Sequence, residues 1–431
     1  MDIKKLYKLI REGDPGIATD SRSVKTGDVF FALKGDNFNG NAFASRALEN
    51  GARLAVIDDP AYSGSGTILV GDVLLAMQEL AAIHRRELGI PVIAITGTNG
   101  KTTTKELTAL VLSQKYKVHS TKGNLNNHIG VPLTILSAGR DTELLLVEMG
   151  ANHVGEIDAL CRIADPDYGI ITNIGKAHLE GFGSYEGVIK AKSELYSFLD
   201  KKGAAIIYND NNSLLSELAA SLSCSLIPYS RPSMDLALSS TMKEGSVEFD
   251  IHYGDSTIHV STGLYGSHNL ENILAAVSTG LVFDIDISVI ARAIASYKPE
   301  NNRSQLADTG KNLLLCDAYN ANPGSMISAL RSFIKAEEGR DKTIILGDML
   351  ELGQYSMDEH KKIVDFLSAT ANIRAYLVGT EFCRAAGQGS IKCFASTELL
   401  IKHLESNPIR NNFVLLKGSR GIALEKVFPL L

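Results

Sequence analysis

The chain has 431 residues, of which 45% are hydrophobic and 21% are charged, and its formal net charge is −6. These values are ordinary for a globular protein of two to four domains with several buried cores. The negative charge, without a Lys/Arg block, excludes nucleic acid as the default partner. No run reaches the ~18 apolar residues of a membrane span, and residues 1–14 lack a signal peptide's apolar stretch. We therefore expect a cytoplasmic protein.

The cysteines are scattered along the chain, and none of them forms a Cys-x-x-Cys pair. They are Cys161, Cys224, Cys316, Cys383 and Cys393. An odd number of cysteines without metal-type spacing is typical of buried thiols in a reducing compartment. We therefore expect buried thiols and no disulfide framework.

The N-terminal part alternates short strands with helices and predicts a small α/β domain over residues 1–88. The predicted strands are 28–35 and 54–59, and a helix is predicted near 42–52. Apolar residues recur at helical spacing over 72–88 and predict a second helix there. This helix is expected to end before Gly and Pro, which places a boundary at residue 89.

The next part, residues 89–298, predicts a parallel sheet covered by helices. Its strand-like runs are apolar on both faces, which is typical of such sheets. The runs are 92–96, 144–150, 169–175 and 204–210. The segment 246–264 alternates with period two and predicts a hairpin, and a helix is predicted over 269–283.

A polar, Pro-containing linker is predicted at 298–305, and the last domain is expected over residues 299–431. Apolar strands again alternate with helices there, which predicts a doubly wound, Rossmann-like domain. The strands are 312–320, 342–349, 375–380 and 412–421. The sequence therefore predicts the α/β fold class with three domains in a row.

The stretch IAITGTNGKTTTKE at residues 93–106 joins a strand to a helix through a Gly-containing turn. Ile95 stands where the usual phosphate-binding pattern has its first glycine. We predict that Lys101 reaches the terminal phosphates of a nucleotide and that Thr102 binds Mg²⁺. The alternative is a plain turn between a strand and a helix. The predicted nucleotide-binding residues of the loop are Gly97, Thr98, Asn99, Gly100, Lys101, Thr102 and Thr103.

Three further positions in this domain carry groups that could serve such a site. Glu148 closes an apolar strand and is either a Mg²⁺ ligand or an edge residue in solvent. His178 follows another strand, where ligands bind in open α/β sheets, although a lone His is usually structural. Lys190 and Lys192 lie on a predicted helix, and from composition alone both belong to the solvated surface.

Two other polar clusters could bind ligands. The amide-rich segment 121–134 contains Asn124, Asn126 and Asn127, which either bind a polar ligand or form turns. In the last domain, polar residues follow the ends of two strands and predict a second binding crevice rather than ordinary loops. They are Asp317, Asn320, Lys417, Ser419 and Arg420.

At this point the ordered motifs resemble those of the Mur ligases, over nearly the whole chain from Asp20–Arg22 onward. The motifs are TGTNGKTTTKE, GNLNNHIGVP, EMGANHVGEI, TNIGKAHLEGFGS, HNLENILAA, DAYNANPGSM, GDMLELG and KGSRG. Folylpolyglutamate synthetases share a similar phosphate loop, so the other motifs are more diagnostic. The resemblance implies an ATP-dependent, amide-forming ligase with an acyl-phosphate intermediate. Within the family, the likeness to members that add a dipeptide implies UDP-MurNAc-tripeptide and D-Ala-D-Ala as substrates.

The resemblance also implies roles for individual residues. Lys101, His178 and Lys192 would be catalytic. Two Mg²⁺ ions would be held by Thr102, Glu148, His178 and Lys192, the last as a carbamate, which requires a neutral amine. The nucleotide would be bound by Asn269 at the adenine, by Arg303 and Asp317 at phosphate and ribose, and by Asn320 beside them.

Substrate binding is implied for residues of all three domains. They are Ser21, Arg22, Asn124, Asn126, Asn127, Asn322, Lys417, Ser419 and Arg420, with the first two in a UDP-binding N-terminal domain. In that domain the chain has FNGNAF where the family commonly has F-D-G-H-x-F. Asn39 and Asn41 therefore replace a charged and a titratable residue. The family also implies a monomer.

Two other functions are compatible with parts of this pattern. One is another Mur ligase or a folylpolyglutamate synthetase, against which the N-terminal unit and DAYNANPGSM argue. The other is a regulatory nucleotide-binding switch without catalysis. Retention of Lys101, Glu148 and His178 argues against a switch, because a binding-only protein could have lost them.

Overall fold

The computed structural model describes residues 2–229, 236–243, 246–253, 256–299, 303–336 and 339–431. These residues form three α/β units in chain order, each with its own largely parallel sheet, which confirms the predicted fold class. The domain limits at residues 88 and 298 stay a prediction. Part of the linker predicted at 298–305 lies outside the described residues, because 300–302 are not described.

The first unit is small and has one parallel sheet. Its elements are α1 (Ile3–Arg11), β1 (Ile17–Ala18), β2 (Val29–Phe31), β3 (Lys34–Gly35), β4 (Phe38–Asn39), α2 (Ala44–Glu49), β5 (Leu54–Ile57), β6 (Thr67–Leu69) and α3 (Val73–Leu88). The sheet order is β1-β2-β5-β6, and β3 and β4 form a hairpin. The Asp72 carboxylate caps α3 by accepting from the Leu75 amide, and Gly89 ends the helix at φ 61°. The helix predicted over 72–88 is therefore confirmed.

The second unit is built on a six-stranded parallel sheet. Its sheet strands and helices are β7 (Val92–Thr96), α4 (Lys101–Leu112), β8 (Val118–Ser120), α5 (Gly130–Leu136), β9 (Leu144–Glu148), α6 (Glu156–Ala164), β10 (Tyr168–Ile171), α7 (Leu179–Phe182), α8 (Tyr185–Lys202), β11 (Ala205–Asn209), α9 (Ser213–Ala220) and β12 (Ser225–Tyr229). The strand order is β12-β11-β10-β7-β9-β8. Every residue of β7 and β9 is buried, as the two-faced apolar runs predict.

A separate antiparallel sheet follows in the chain. It contains β13 (Leu236–Lys243), β14 (Ser246–Tyr253) and β15 (Ser256–Tyr265), and then come α10 (Asn269–Val282) and α11 (Ile287–Ser296). The hairpin predicted over 246–264 is confirmed. The third strand, β13, was not predicted because its serines, threonine and lysine give no alternating apolar signal.

The third unit has a six-stranded sheet in which only the first strand is antiparallel. Its elements are β16 (Gln305–Asp308), β17 (Leu313–Asp317), α12 (Pro323–Lys335), β18 (Asp341–Gly347), α13 (Ser356–Ser368), β19 (Arg374–Val378), α14 (Thr380–Ala386), β20 (Lys392–Phe394), α15 (Thr397–Ser406) and β21 (Asn412–Lys417). The strand order is β16-β17-β21-β18-β19-β20. All four predicted strands are present.

The first and second units share one hydrophobic core. Met77 and Leu80 of α3 belong to the same buried cluster as Val131 and Ile135 of α5. The third unit instead has its own cores on the two faces of its sheet. We infer that the first two units behave as one body, because separating them would expose part of a common core.

One cysteine prediction is wrong. Cys383 of α14 and Cys393 of β20 form a disulfide, with a Cα–Cα distance of 5.4 Å. Strands β19 and β20 pair in parallel, so the chain turns back after α14 and β20 lies beside β19. This places Cys393 of β20 next to Cys383 of α14. Cys161, Cys224 and Cys316 are free thiols, and the first and last of these are buried. No helix in the described part of the chain is long and apolar enough to cross a membrane.

Candidate active site

A cavity of about 670 Å³ lies between the second and third units, where β7, β9, β17 and β21 end. Open α/β sheets bind ligands at this edge. The cavity brings together most of the predicted site residues from both units. They are Thr98, Asn99, Gly100, Lys101, Thr102, Thr103, Asn124, Asn126, Asn127, Glu148, His178, Asn269, Arg303, Asp317, Asn320, Asn322 and Lys417.

The phosphate loop connects β7 to α4 and is held by the residues that follow β10. Gly100 has φ 78°, and a Cβ there would collide with the Asn272 side chain, so this position needs glycine. The Thr172 hydroxyl donates to the Asn99 carbonyl at 2.6 Å, and the Asn99 amide donates to Asn173 Oδ1 at 3.0 Å. The loop is thus fixed before any ligand binds.

The Lys101 side chain folds back over this loop. Its Nζ donates to the carbonyl oxygens of Gly97 at 2.9 Å and Thr98 at 3.1 Å. Burial lowers the pKa of the Lys101 ammonium, and the Glu148 carboxylate opposes that shift. The ammonium has only neutral hydrogen-bond acceptors here, so an anionic phosphate would be a stronger partner.

Glu148 ends β9 in the protein interior and not at a solvent edge, because only 1% of the residue is exposed. Its Oε1 accepts from Asn126 Nδ2 at 2.8 Å, while Oε2 has no hydrogen-bond partner and lies 3.8 Å from Lys105 Nζ. A buried carboxylate oxygen without a hydrogen bond is a suitable ligand for a hard cation.

The donors present fit Mg²⁺. Within the residues described, no group of three or more His, Cys, Asp and Glu could hold a metal ion. Mg²⁺ does not require such a cage, because it commonly takes one or two protein carboxylates together with phosphates and waters. The buried Glu148 oxygen, with Thr102 in the same cavity wall, meets that requirement.

Lys192 and Lys190 lie two residues apart on α8 in different environments. Lys190 is exposed, whereas only 3% of Lys192 is exposed and its Nζ lies 5.5 Å from the Phe182 ring centroid. Burial lowers the pKa of Lys192 to about 7, and the nearby Lys101 ammonium adds to this shift. A substantial neutral fraction at neutral pH is the condition that carbamoylation requires. Lys192 is not itself among the cavity-lining residues.

His178 stands at the N-terminus of the short helix α7 with φ 51°, a left-handed conformation. Its Nδ1 contacts the Glu351 carboxylate, which comes from the third unit. The Glu180 amide also donates to the Glu351 carbonyl at 3.3 Å. The position predicted to bind a second metal is therefore also a contact between the two units.

The amide-rich segment contributes both to turns and to the cavity wall. Asn127 Oδ1 accepts from the Ile129 and Gly130 amides in the turn before α5, and Asn126 Nδ2 donates to Glu148. Asn269 is buried, donates to the Tyr265 carbonyl and accepts from Asn272 Nδ2 at 2.9 Å. The turn-forming alternative is therefore observed for Asn127, while ligand binding by the asparagines of this segment stays a prediction.

The third unit closes the opposite side of the cavity. Lys417 Nζ lies 2.5 Å from Asp317 Oδ2. Burial tends to raise the pKa of Asp317, but the Lys417 ammonium outweighs it and the pKa is lowered. The Asn322 side chain donates to Asn99 Oδ1 at 2.6 Å, so the third unit is hydrogen-bonded directly to the phosphate loop.

Ser419 and Arg420 do not line the cavity. The Ser419 hydroxyl accepts from the Leu350 amide at 3.0 Å and joins two loops of the third unit. Arg420 lies with its guanidinium carbon 5.8 Å from the Tyr319 ring centroid, and Arg303 is closer at 3.6 Å. Their predicted contact with an incoming substrate stays a prediction.

Ser21 and Arg22 are also outside this cavity, in the first unit. Arg22 is exposed and makes a two-pronged ion pair with Asp20. Asn41 is fully buried and hydrogen-bonds Asn39 and Asp58. The two asparagines that depart from the family pattern therefore bind each other within the fold.

Three cavity-side residues were not predicted individually. Lys105 is buried beside Glu148, Tyr319 stacks on Arg303, and Glu351 contacts His178. Tyr319 and Glu351 lie inside DAYNANPGSM and GDMLELG, so those motifs carried a signal. Lys105 had no signal of its own, because nothing in its spacing distinguishes it from a surface lysine.

Fold and site together define a three-unit nucleotide-binding α/β protein, and comparison with known proteins specifies its family. Three family models match consecutive parts of the chain: "Mur ligase family, catalytic domain" at residues 15–96, "Mur ligase middle domain" at 95–280, and "Mur ligase, glutamate ligase domain" at 302–420. The chain belongs to the Mur ligase family. The resemblance predicted from the motifs is confirmed.

Individual relatives cover almost the whole chain. UDP-N-acetylmuramoyl-tripeptide--D-alanyl-D-alanine ligase of Bacillus subtilis is 35% identical over 96% of this chain and 92% of that protein. A crystal structure of MurF from Acinetobacter baumannii is 30% identical with a TM-score of 0.85, covering 96% of this chain and 92% of that one. MurF of Thermotoga maritima in complex with ADP is 28% identical with a TM-score of 0.83, covering 97% of both chains.

Proposed function

We propose that this chain is an ATP-dependent ligase that joins D-alanyl-D-alanine to UDP-N-acetylmuramoyl-tripeptide, giving the pentapeptide, ADP and phosphate in peptidoglycan precursor synthesis. The observation that carries the proposal is one cavity shared by the phosphate loop, the buried Glu148 carboxylate and the strand-end loops of the third unit. The names of the full-length relatives support the choice of substrates.

The chemistry explains why these groups share a cavity. A carboxylate is a poor acyl donor because its leaving group would be oxide, and phosphorylation by ATP replaces that leaving group with phosphate. Lys101 holds the transferred phosphoryl group and stabilises its charge. Thr102, Glu148 and His178 would hold Mg²⁺, which neutralises phosphate charge when bound. The amine of the dipeptide then attacks the acyl carbon, the amide forms and phosphate leaves.

Lys192 completes this side of the site in the proposal. Its amine reacts with carbon dioxide to give a carbamate, and the product is an anion placed close to Lys101. The low pKa of about 7 supports the proposal, because the neutral amine is the reactive form. Lys190, exposed on the same helix, has no such environment.

The third unit adds nucleotide contacts to those of the second unit and excludes water. Arg303 and Asp317 bind phosphate and ribose, with Asn269 at the adenine and Asn320 beside it. An acyl phosphate would hydrolyse in contact with water, so closure must precede the attack of the amine. The Asn99–Asn322 hydrogen bond and the His178–Glu351 contact are among the contacts that join the second and third units.

The remaining parts of the proposal concern substrate binding, oligomeric state and localisation. Ser21 and Arg22 bind the uridine nucleotide, and Asn124, Asn126, Asn127 and Asn322 bind polar groups of the tripeptide side. Lys417, Ser419 and Arg420 meet the dipeptide. The protein acts as a monomer in the cytoplasm.

Phosphate release from ATP tests the proposal against its alternatives. With UDP-MurNAc-tripeptide and Mg²⁺, turnover should require D-Ala-D-Ala and should yield the pentapeptide by mass spectrometry. Turnover with a single amino acid, or with glutamate and a folate, would assign another member or relative of the family. ATP binding without turnover on any amine would favour a nucleotide-dependent switch.

A further inference from the structure

A second cavity, of about 1080 Å³, lies away from the candidate active site, beside α1 and the C-terminal half of α3. Arg140, in the loop between α5 and β9, closes one side of it. The cavity is therefore shared by the first and second units, which also share a core. None of the predicted site residues lines it.

The lining is strongly basic although the chain as a whole is acidic. It contains five Lys and Arg side chains and two Glu, a surplus of three positive charges in a chain of net charge −6. The basic residues are Lys4, Lys8, Arg11, Arg86 and Arg140. Basic side chains around a concave surface focus a positive potential and concentrate anions there.

Four of these cations form no ion pair with a described carboxylate. Across the residues that the structure describes, Lys4, Lys8, Arg86 and Arg140 make no ion pair with a carboxylate within 4.0 Å. Arg11 does pair with Asp14, and its Nη1 donates to the Leu136 carbonyl at 2.9 Å. These four exposed side chains are therefore accessible to solvent or to an anionic ligand.

The floor of the cavity is rigid. His84 is buried, and its Nε2 lies 2.9 Å from the Ala138 carbonyl, so Nε2 carries the proton. Nδ1 then accepts from the Tyr7 hydroxyl at 2.9 Å. Burial lowers the pKa of His84 to about 4, with the charges of Arg11 and Arg140 adding to the shift. This neutral Tyr–His pair links α1 to α3 and holds the basic residues of both helices in place.

The lining also offers apolar surface through Leu9, Ile83 and Leu88. We propose that this cavity binds a small organic anion carrying at least two phosphate groups, with its apolar body against these side chains. Phosphate is the class that fits, because each group carries about −1.5 to −2 charge at pH 7 and two of them balance the surplus. Lys and Arg supply the matching donors.

Binding of inorganic tripolyphosphate and of fructose 1,6-bisphosphate, by calorimetry, tests the proposal. Mg²⁺ and ADP are present at saturation to occupy the active site. The charge-reversal variant Lys8→Glu/Arg140→Glu should bind both probes at least tenfold more weakly than the wild type. The matched control, Lys402→Glu/Arg410→Glu, makes the same change in net charge at exposed residues of the third unit and should bind like the wild type.

Thermal unfolding of both variants without probe shows whether they fold. Both should fold, because the reversed residues are exposed and form no ion pair within the part of the chain that the structure describes. Both probes should raise the unfolding temperature of the wild type and the control but not of Lys8→Glu/Arg140→Glu. Binding should also weaken with salt. Equal binding by both variants, or no binding at all, overturns the proposal. The proposal is also overturned if the protein binds phosphatidylglycerol vesicles but neither free probe, because the basic cavity would then face a lipid surface.

Discussion

The two walls of the active-site cavity differ in how much of their polar chemistry is left for a ligand. On the second unit, Glu148 Oε2 has no hydrogen-bond partner, and Lys101 binds only backbone carbonyls. On the third unit, Lys417 is paired with Asp317, and Asn322 Oδ1 accepts from the Ser325 amide. The named polar groups of the first wall are arranged for a charged ligand. Those of the second wall already bind each other within the third unit, so their positions are set before a ligand binds.

Removing the ammonium from the first wall should have the largest effect. Lys101→Ala is expected to lower kcat about 10³-fold, because a preorganised charge on the transferring phosphoryl group is lost. The measurement is steady-state phosphate release with all substrates present. An unchanged thermal unfolding transition would show that the fold is intact. Turnover at the wild-type rate would refute the assigned phosphate role.

Neutralising the buried carboxylate should come next. Glu148→Gln keeps the side-chain shape but removes the charge, and is expected to lower kcat about 10²-fold, since it removes an oxygen ligand from the metal. ADP binding by calorimetry, with and without Mg²⁺, gives an independent readout. The wild type should bind ADP more tightly with Mg²⁺, and the variant should lose that difference. A variant that keeps the full Mg²⁺ dependence would contradict the assignment.

Lys192 tests whether burial makes the amine of a lysine side chain reactive. A carbamate signal should appear by NMR with ¹³C-bicarbonate and grow as the pH rises through about 7, since neutral amine is required. Lys192→Ala should lose the carbamate signal, and its kcat should fall about 10²-fold. A small carboxylic acid should partly restore this activity. Lys190→Ala, two residues away and exposed, is the matched control and should retain both.

The same pKa predicts how stability changes with pH. The folded Lys192 has a pKa of about 7, below its ordinary value of 10.5. Between these values the unfolded state binds more protons, so the contribution of Lys192 to the free energy of unfolding increases with pH. In Lys192→Ala, the free energy of unfolding measured by denaturant titration should lack this increase above pH 7. An identical pH slope in both proteins would mean that the amine is protonated when folded.

The smallest effect is expected at the contact between the walls. Asn322→Ala removes the hydrogen bond to Asn99 Oδ1, and about 1 kcal/mol, or about fivefold in kcat/KM, should be lost. Asn322→Ser is the matched control, because it replaces the amide donor to Asn99 by a shorter hydroxyl that can still cap α12. If Asn322→Ser behaves like the wild type, the capping role explains the effect of Asn322→Ala and the interdomain contact contributes nothing.

Much of the fold and the first wall could be predicted from the sequence. The phosphate loop is contiguous, so its strand, turn and helix are readable from local signals, and Glu148 is marked by the end of an apolar strand. Lys190 and Lys192 could not be distinguished in this way, because both lie on one helix and only the packing of Phe182 and α8 buries one of them.

The second wall was predicted as a set of polar strand ends, but the role of each atom was not. Lys417 and Asp317 are 100 residues apart, and Asn322 and Asn99 are 223 apart. The Cys383–Cys393 disulfide was missed for a similar reason, because strand pairing and not sequence spacing brings its cysteines together. Such contacts depend on how distant segments pack.

The sequence by itself determined the family and the three α/β units and predicted the phosphate-binding residues, since these depend on local pattern and motif order. Only the tertiary structure decided which buried carboxylate oxygen lacks a hydrogen bond, which lysine is buried and where basic residues of α1, α3 and the α5–β9 loop meet around a second cavity. The reason is physical: burial and electrostatic environment are properties of what packs around a residue, and neighbours in space are distant in the chain.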